Sequence, residues 1–246
     1  MFQRVIAFGD SFSDNGFSNG SGFNRLSNGP VWVEHLAARL GVALEDRAWC
    51  GAQSGHGNAS GPKDWSGLAW QVETFDDDSA LPQALCTVLI GINDIYEGDA
   101  DAGDVAANTI DALERLAAKG MRTCLISTLP DITLAPAYAG EYAHVKAEVA
   151  HLVVGINAKL SAELHGAGGF SERHPEVTLH AVDAYGLFNT LAASGTFEIS
   201  DAPWLGTYSY PKADGFMWWD DWHPMTATHR YFADAAYKVI RGERDR

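Results

Sequence analysis

Short apolar runs alternate with helix-length segments along the whole chain, and this alternation constrains the fold more than any other feature. Residues 4–8, 43–49, 85–90, 121–127 and 177–182 read as strands, the third with the apolar centre Val88-Leu89-Ile90. Between and after them, residues 31–40, 104–119, 141–164, 184–193 and 226–241 read as helices. In the second of these, Val105, Ile110, Leu113 and Leu116 recur at helical spacing and Gly120 closes the run. The long third one carries Val145, Val149, Leu152, Val153, Ile156 and Leu160 along one side. Pro30 is expected in the first turn of the first helix. Strand–helix alternation predicts an α/β fold, a parallel sheet covered by helices on both faces. No internal repeat or linker divides the chain, so residues 1–246 are expected to form a single domain.

A parallel sheet sends every strand-to-helix loop to one edge, where open α/β folds bind ligands. Segments 9–30, 50–67, 91–103 and 128–140 follow strands and are rich in Gly, Ser, Asn, Asp and Pro. Residues far apart in sequence are therefore expected to meet there. Ser11 leaves the first strand in Phe8-Gly9-Asp10-Ser11-Phe12-Ser13-Asp14-Asn15-Gly16, where backbone N–H groups can face a developing oxyanion. A capped Ser/Asp turn is the competing reading, and the Gly-x-Ser-x-Gly elbow is absent. Near the other end, Asp220-Asp221-Trp222-His223-Pro224 puts a carboxylate three residues before a histidine. From there Asp220 can reach the Nδ1 proton and leave Nε2 free to accept one from a serine. His223 could equally be a structural histidine. Gly51 offers an unobstructed N–H and Asn93 a side-chain amide as oxyanion donors, though both residue types are also common in turns. Gly55 is the rival to Gly51.

Taken in order, Gly-Asp-Ser, then Gly, then Gly91-Ile92-Asn93-Asp94, then Asp-x-x-His resemble the blocks of the SGNH, or GDSL, hydrolase superfamily. Phe8–Gly16, Asn28-Gly29-Pro30-Val31-Trp32 and Trp219–Pro224 are similar to its GDSL lipase/acylhydrolase branch. The resemblance runs from Phe8 to Pro224, and Met225 departs from the threonine often found after His-Pro. It implies a flavodoxin-like three-layer α/β/α sandwich with a five-stranded parallel sheet. It also implies Ser11 as nucleophile, His223 as base and Asp220 as its orienter. The oxyanion donors it implies are the Ser11 N–H, the Gly51 N–H and the Asn93 side chain.

Composition bounds the partners. With 17 Lys+Arg against 32 Asp+Glu, the net charge is −15, which argues against nucleic acid and against charge-driven docking on anionic membranes. No apolar run is long enough for a membrane span. Cys50, Cys86 and Cys124 have no metal or redox spacing and read as small buried hydrophobes. His144 and His151 complete no metal triad, and the acidic clusters Asp76-Asp77-Asp78 and Asp99/Asp101/Asp104 read as solvated loops and helix N-terminal charges. No metal and no cofactor is expected, and the oligomeric state is left open. A cytoplasmic site follows if Met1 is the natural start, and a secreted one if a signal peptide preceded this sequence. Trp65, Trp204, Trp218, Trp219, Trp222, Tyr208 and Tyr210 fall in proposed edge loops, where they could stack on a sugar, line an acyl slot or simply pack. The expected activity is serine ester hydrolysis of short acyl groups, acetyl foremost, on a small-molecule ester that could be a carbohydrate. Acyl transfer on the same fold, or non-catalytic carbohydrate binding, are the alternatives.

Overall fold

The computed structural model describes residues 2–16, 25–98, 101–203 and 215–243. Five strands, β1 (Arg4–Gly9), β2 (Ala43–Asp46), β3 (Ala84–Leu89), β4 (Thr123–Ser127) and β5 (Thr178–Val182), form one all-parallel sheet in the order β2-β1-β3-β4-β5. That is the flavodoxin-like order. The helices are α1 (Trp32–Leu40), α2 (Leu68–Glu73), α3 (Ile92–Glu97), α4 (Ala102–Ala118), α5 (Lys146–His165), α6 (Phe170–Arg173), α7 (Ala184–Ala193) and α8 (Thr226–Arg241).

Alternation along β1 builds the two cores. Val5 and Ala7 face a cluster with α1, α7 and α8, whereas Ile6 and Phe8 face one with α2, α4 and α6. The long α5 supplies Val153 and Ile156 to the first cluster and Leu160 and Leu164 to the second. On the first face Trp32 stacks on Phe232 at 4.5 Å, locking α1 to α8. Cys86 and Cys124 are fully buried in β3 and β4, as their apolar neighbours imply.

The boundaries differ from the expected ones for local reasons. Pro30 lies before the first helix, whose N-cap is Val31, and the Glu34 carboxylate accepts from the Val31 N–H. Strand β2 stops at Asp46 because its carboxylate accepts from the N–H groups of Ala48 and Asn15, bending the chain away. A 3₁₀ turn, Ala143–Val145, precedes α5, so the long helix begins later than its apolar spacing suggests. Gly9 ends β1 with φ +152°, and a Cβ there would lie 2.4 Å from the Leu89 carbonyl oxygen. The close approach of β1 and β3 thus requires glycine just before Asp10-Ser11.

Candidate active site

Ser11 sits at the C-terminal end of β1, in a turn built by Asp10. The Asp10 side chain accepts from the Phe12 N–H, and its carbonyl accepts from Ser13 and Asp14. Just upstream, the fully buried Gln71 accepts from the Gly9 N–H at 2.9 Å and donates to the Gly9 carbonyl at 2.8 Å. One carboxamide therefore fixes the residue that launches the Ser11 turn.

His223 lies in a tight loop ahead of α8. The Trp219 N–H donates to the His223 carbonyl, the Met225 N–H to the Met217 carbonyl, and the Ser27 hydroxyl to the Pro224 carbonyl. Inside this loop the His223 Nδ1 lies 2.8 Å from Asp220 Oδ2 and 3.0 Å from Oδ1. With the proton on Nδ1, Nε2 is left as an acceptor 3.1 Å from the Ser11 hydroxyl, closing a relay across 212 positions of sequence. Burial pushes the Asp220 carboxyl up, but the bond and charge of His223 and the N–H groups of Trp222 and His223 hold it below its ordinary value. Its neighbour Asp221 is exposed, and among the described residues only its carbonyl is engaged, by the Ala137 N–H.

Three donors converge on the same cleft. Neither the Ser11 N–H nor the Gly51 N–H has a hydrogen-bond partner among the described residues. Asn93, in the first turn of α3, donates from Nδ2 to the Ala52 carbonyl at 2.9 Å, and its second amide hydrogen has no partner among the described residues. Gly51 has φ +79° and lines the cleft; Gly55 does not line it and gives its carbonyl to the Ala69 N–H. The cleft encloses about 220 Å³. Ile92, Ile132, Ala135, Tyr138 and Trp222 supply much of its apolar wall. Cys50, expected to be a buried hydrophobe like Cys86 and Cys124, is instead only partly buried and also lines it; burial still pushes its thiol up to about 12, so it stays protonated.

Buried acids surround this arrangement. Asp10 is pushed up to about 7 by burial, reinforced by the charges of Asp94 and Asp14 and opposed by the Phe12 N–H. Asp94, raised by burial, accepts from both the N–H and the hydroxyl of Ser54 and so ties the loop after β3 to the loop after β2. Among the described residues no cluster of His, Cys, Asp or Glu could hold a metal ion. His144 and His151 are exposed on their segment. Asp101 caps α4, as its position suggested, while Asp77 and Asp78 pair with Arg4 and Lys119.

All five singled-out residues, Ser11, Gly51, Asn93, Asp220 and His223, come together. The aromatic expectation is met only in part. Trp222 lines the cleft, whereas Trp218 is core, Trp219 packs on Met225, and Trp65 packs against Trp49 and Trp70. Trp204, Tyr208 and Tyr210 lie outside the described residues. Sequence reading missed Tyr96 and Tyr138, whose rings stand 5.6 and 5.5 Å from Trp222, and the buried Asn58 and Gln71.

Residues 5–236 match the family model described as GDSL-like Lipase/Acylhydrolase. The chain belongs to that family. Among GDSL relatives, the thermolabile hemolysin of Vibrio parahaemolyticus is 29% identical over 279 residues, covering 95% of this chain and 63% of its own length. The phosphatidylcholine-sterol acyltransferase of Aeromonas hydrophila is 31% identical over 152 residues, covering 53% of this chain and 45% of its own. The chain thus spans less than two thirds of either curated relative. A lipolytic G-D-S-L family protein from Veillonella parvula shares the fold at TM-score 0.55 and 18% identity, covering 97% of this chain and 98% of its own.

Proposed function

We propose that this GDSL-family chain is a serine ester hydrolase acting on short acyl esters, acetate to about butyrate. The supporting observation is the unbroken relay Asp220–His223–Ser11 at a cleft of about 220 Å³. In this reading the Ser11 oxygen bonds to the ester carbonyl carbon while its proton passes to His223 Nε2. The bond to the alcohol oxygen then breaks, and the leaving alkoxide takes that proton. Water, deprotonated by the same nitrogen, attacks the acyl-enzyme and frees the acid and Ser11. Asp220 holds the imidazole in its tautomer, and the Ser11 N–H, the Gly51 N–H and the Asn93 amide receive the oxyanion.

The favoured alcohol part is a carbohydrate, because the rings of Tyr96 and Trp222 offer flat apolar faces in the cleft of Ser11, with Tyr138 left to wall the acyl side. The experiment compares kcat/KM for acetyl, butyryl and dodecanoyl esters of one alcohol, with Ser11 labelling by a fluorophosphonate in parallel. Acetyl or butyryl should lead and Ser11 should be labelled; a dodecanoyl preference overturns the short-acyl reading. A second reading, acyl transfer to an alcohol, draws support from the similarity to the phosphatidylcholine-sterol acyltransferase. Added glycerol or glucose diverting acyl product from free acid to ester would favour it.

A further inference from the structure

The hydrogen-bonding side of the Cys50–Gly51 peptide leads to a residue outside the relay. Asn58 is almost fully buried, and its Nδ2 donates to the Cys50 carbonyl at 2.8 Å and to the Ser66 hydroxyl at 2.8 Å. Its Oδ1 accepts from the Ser60 N–H at 2.8 Å, and its own N–H donates to the Pro62 carbonyl, so every group of the carboxamide is engaged and its orientation is determined. A trans peptide holds N–H and C=O on opposite sides. Drawing the Cys50 oxygen toward Asn58 therefore drives the Gly51 N–H the other way, and Gly51 lines the cleft with that N–H unpartnered among the described residues. The contact is direct: a Cβ on Gly51 would lie 2.4 Å from Asn58 Oδ1.

The same connection reaches the nucleophile. Ser66, the one non-glycine residue with positive φ among those described (+66°), accepts from Asn58 Nδ2 at its hydroxyl oxygen and from Gln71 Nε2 at its carbonyl, the latter at 2.9 Å. Gln71 in turn grips both backbone groups of Gly9, two residues before Ser11. Backbone strain at Ser66 is thus held in place by two buried side chains.

Resting on the serine-hydrolase reading above, we infer that Asn58 is a positioning residue for the oxyanion site. It aims the Gly51 N–H, and through Ser66 and Gln71 it keeps that donor in register with the Ser11 turn. The role is electrostatic: a donor preorganised toward the developing oxyanion contributes to the transition state, and misdirecting it leaves substrate binding largely intact.

The test replaces Asn58 with Asp, which keeps the shape and the acceptor for Ser60 but turns a donor into a carboxylate facing the Cys50 carbonyl. With 4-nitrophenyl acetate, Asn58→Asp should lower kcat at least tenfold, with KM changed less than about threefold, since loss of a whole oxyanion donor costs roughly 10²–10³. The inhibition constant of a trifluoromethyl ketone, whose adduct with Ser11 places an oxyanion at the same site, should rise in parallel. That of free acetate should stay constant. A kcat equal to wild type, or a loss without any change in ketone affinity, overturns the inference. If Asn58→Asp does not fold by circular dichroism, Ser66→Ala is measured identically: the same kcat-specific loss, smaller in size, supports the inference, and wild-type kinetics overturn it. Ser11→Ala separates the two levels. An inactive Ser11→Ala beside a wild-type Asn58→Asp rejects only the role of Asn58, whereas a fully active Ser11→Ala rejects the serine mechanism and this inference with it.

Discussion

At the scale of single residues, adjacent aspartates make the sharpest comparison. Asp220 reaches the His223 Nδ1 with both oxygens, while Asp221 points to solvent. Asparagine at the first position keeps the shape but can hold the imidazole in the wrong tautomer, a change that costs up to ~10⁴-fold in kcat in a serine protease. Asp220→Asn should therefore lower kcat at least tenfold more than Asp221→Asn, with Ser11→Ala lowest, all three folded by far-UV circular dichroism. An inactive Asp221→Asn beside a near-normal Asp220→Asn would reverse the assignment. These residues were legible in sequence because their chemistry rides on short spacings, Gly-Asp-Ser and Asp-x-x-His. Asn58 and Gln71 were not. Asn58 sits in Gly57-Asn58-Ala59-Ser60-Gly61, which reads as a turn, and Gln71 grips a glycine 62 positions away. No local pattern encodes a side chain whose partner is distant backbone.

At the scale of elements, strands and long helices were legible because their apolar periods of two and about 3.6 persist long enough to read. Helices α2 and α3, six residues each, are too short for a period and lie in or beside segments that read as edge loops. Yet α3 carries Asn93, Asp94 and Tyr96 to the cleft region, so the short elements bear much of the chemistry. The seam between β1 and β3 gives one prediction: Gly9→Ala would drive a Cβ against the Leu89 carbonyl and should cost about 2 kcal/mol or more in urea unfolding. Unchanged stability would mean the strands separate easily there. The wall after β4 gives another. The 3₁₀ turn Pro136–Tyr138 is joined to the loop that carries Asp220 and His223 by the Ala137 N–H on the Asp221 carbonyl, and it brings the Tyr138 ring against Trp222. Removing that ring should enlarge the cleft, so Tyr138→Ala should raise the hexanoyl-to-acetyl ratio of kcat/KM at least fivefold. An unchanged ratio would place the acyl group elsewhere.

At the scale of the whole molecule, two buried groups oppose each other in the dependence of stability on pH. His229 is fully buried in α8 near the Phe12 ring, and neither ring nitrogen has a hydrogen-bond partner among the described residues. Burial, with the charges of His35, His223 and Arg25, depresses it to about 3. The unfolded chain, with an ordinary histidine near 6.5, binds more protons between those values, so this group's contribution is intact above about pH 6.5 and is lost as pH falls toward 3. Asp10 has the opposite sign. Its folded value of about 7 exceeds an unfolded value near 3.9, so the folded chain binds more protons, and its contribution, complete below about pH 4, declines as pH rises toward 7. Each group changes stability by about 1.4 kcal/mol per pH unit inside its window, and the two slopes largely cancel between about pH 4 and 6.5. Substitution exposes them separately. Leucine at 229 forfeits no hydrogen bond, and the cost of its altered shape does not vary with pH. Relative to wild type, His229→Leu should gain about 1.4 kcal/mol for each unit the pH is lowered from 6.5 to 4. Asp10→Asn should instead gain on wild type as pH is raised from 4 to 7 and level off beyond. Urea unfolding at half-unit intervals of pH reads both slopes. A stability difference for His229→Leu that is constant across the acid window would mean that His229 takes up a proton in the folded state, and that the core beneath α8 admits a charge.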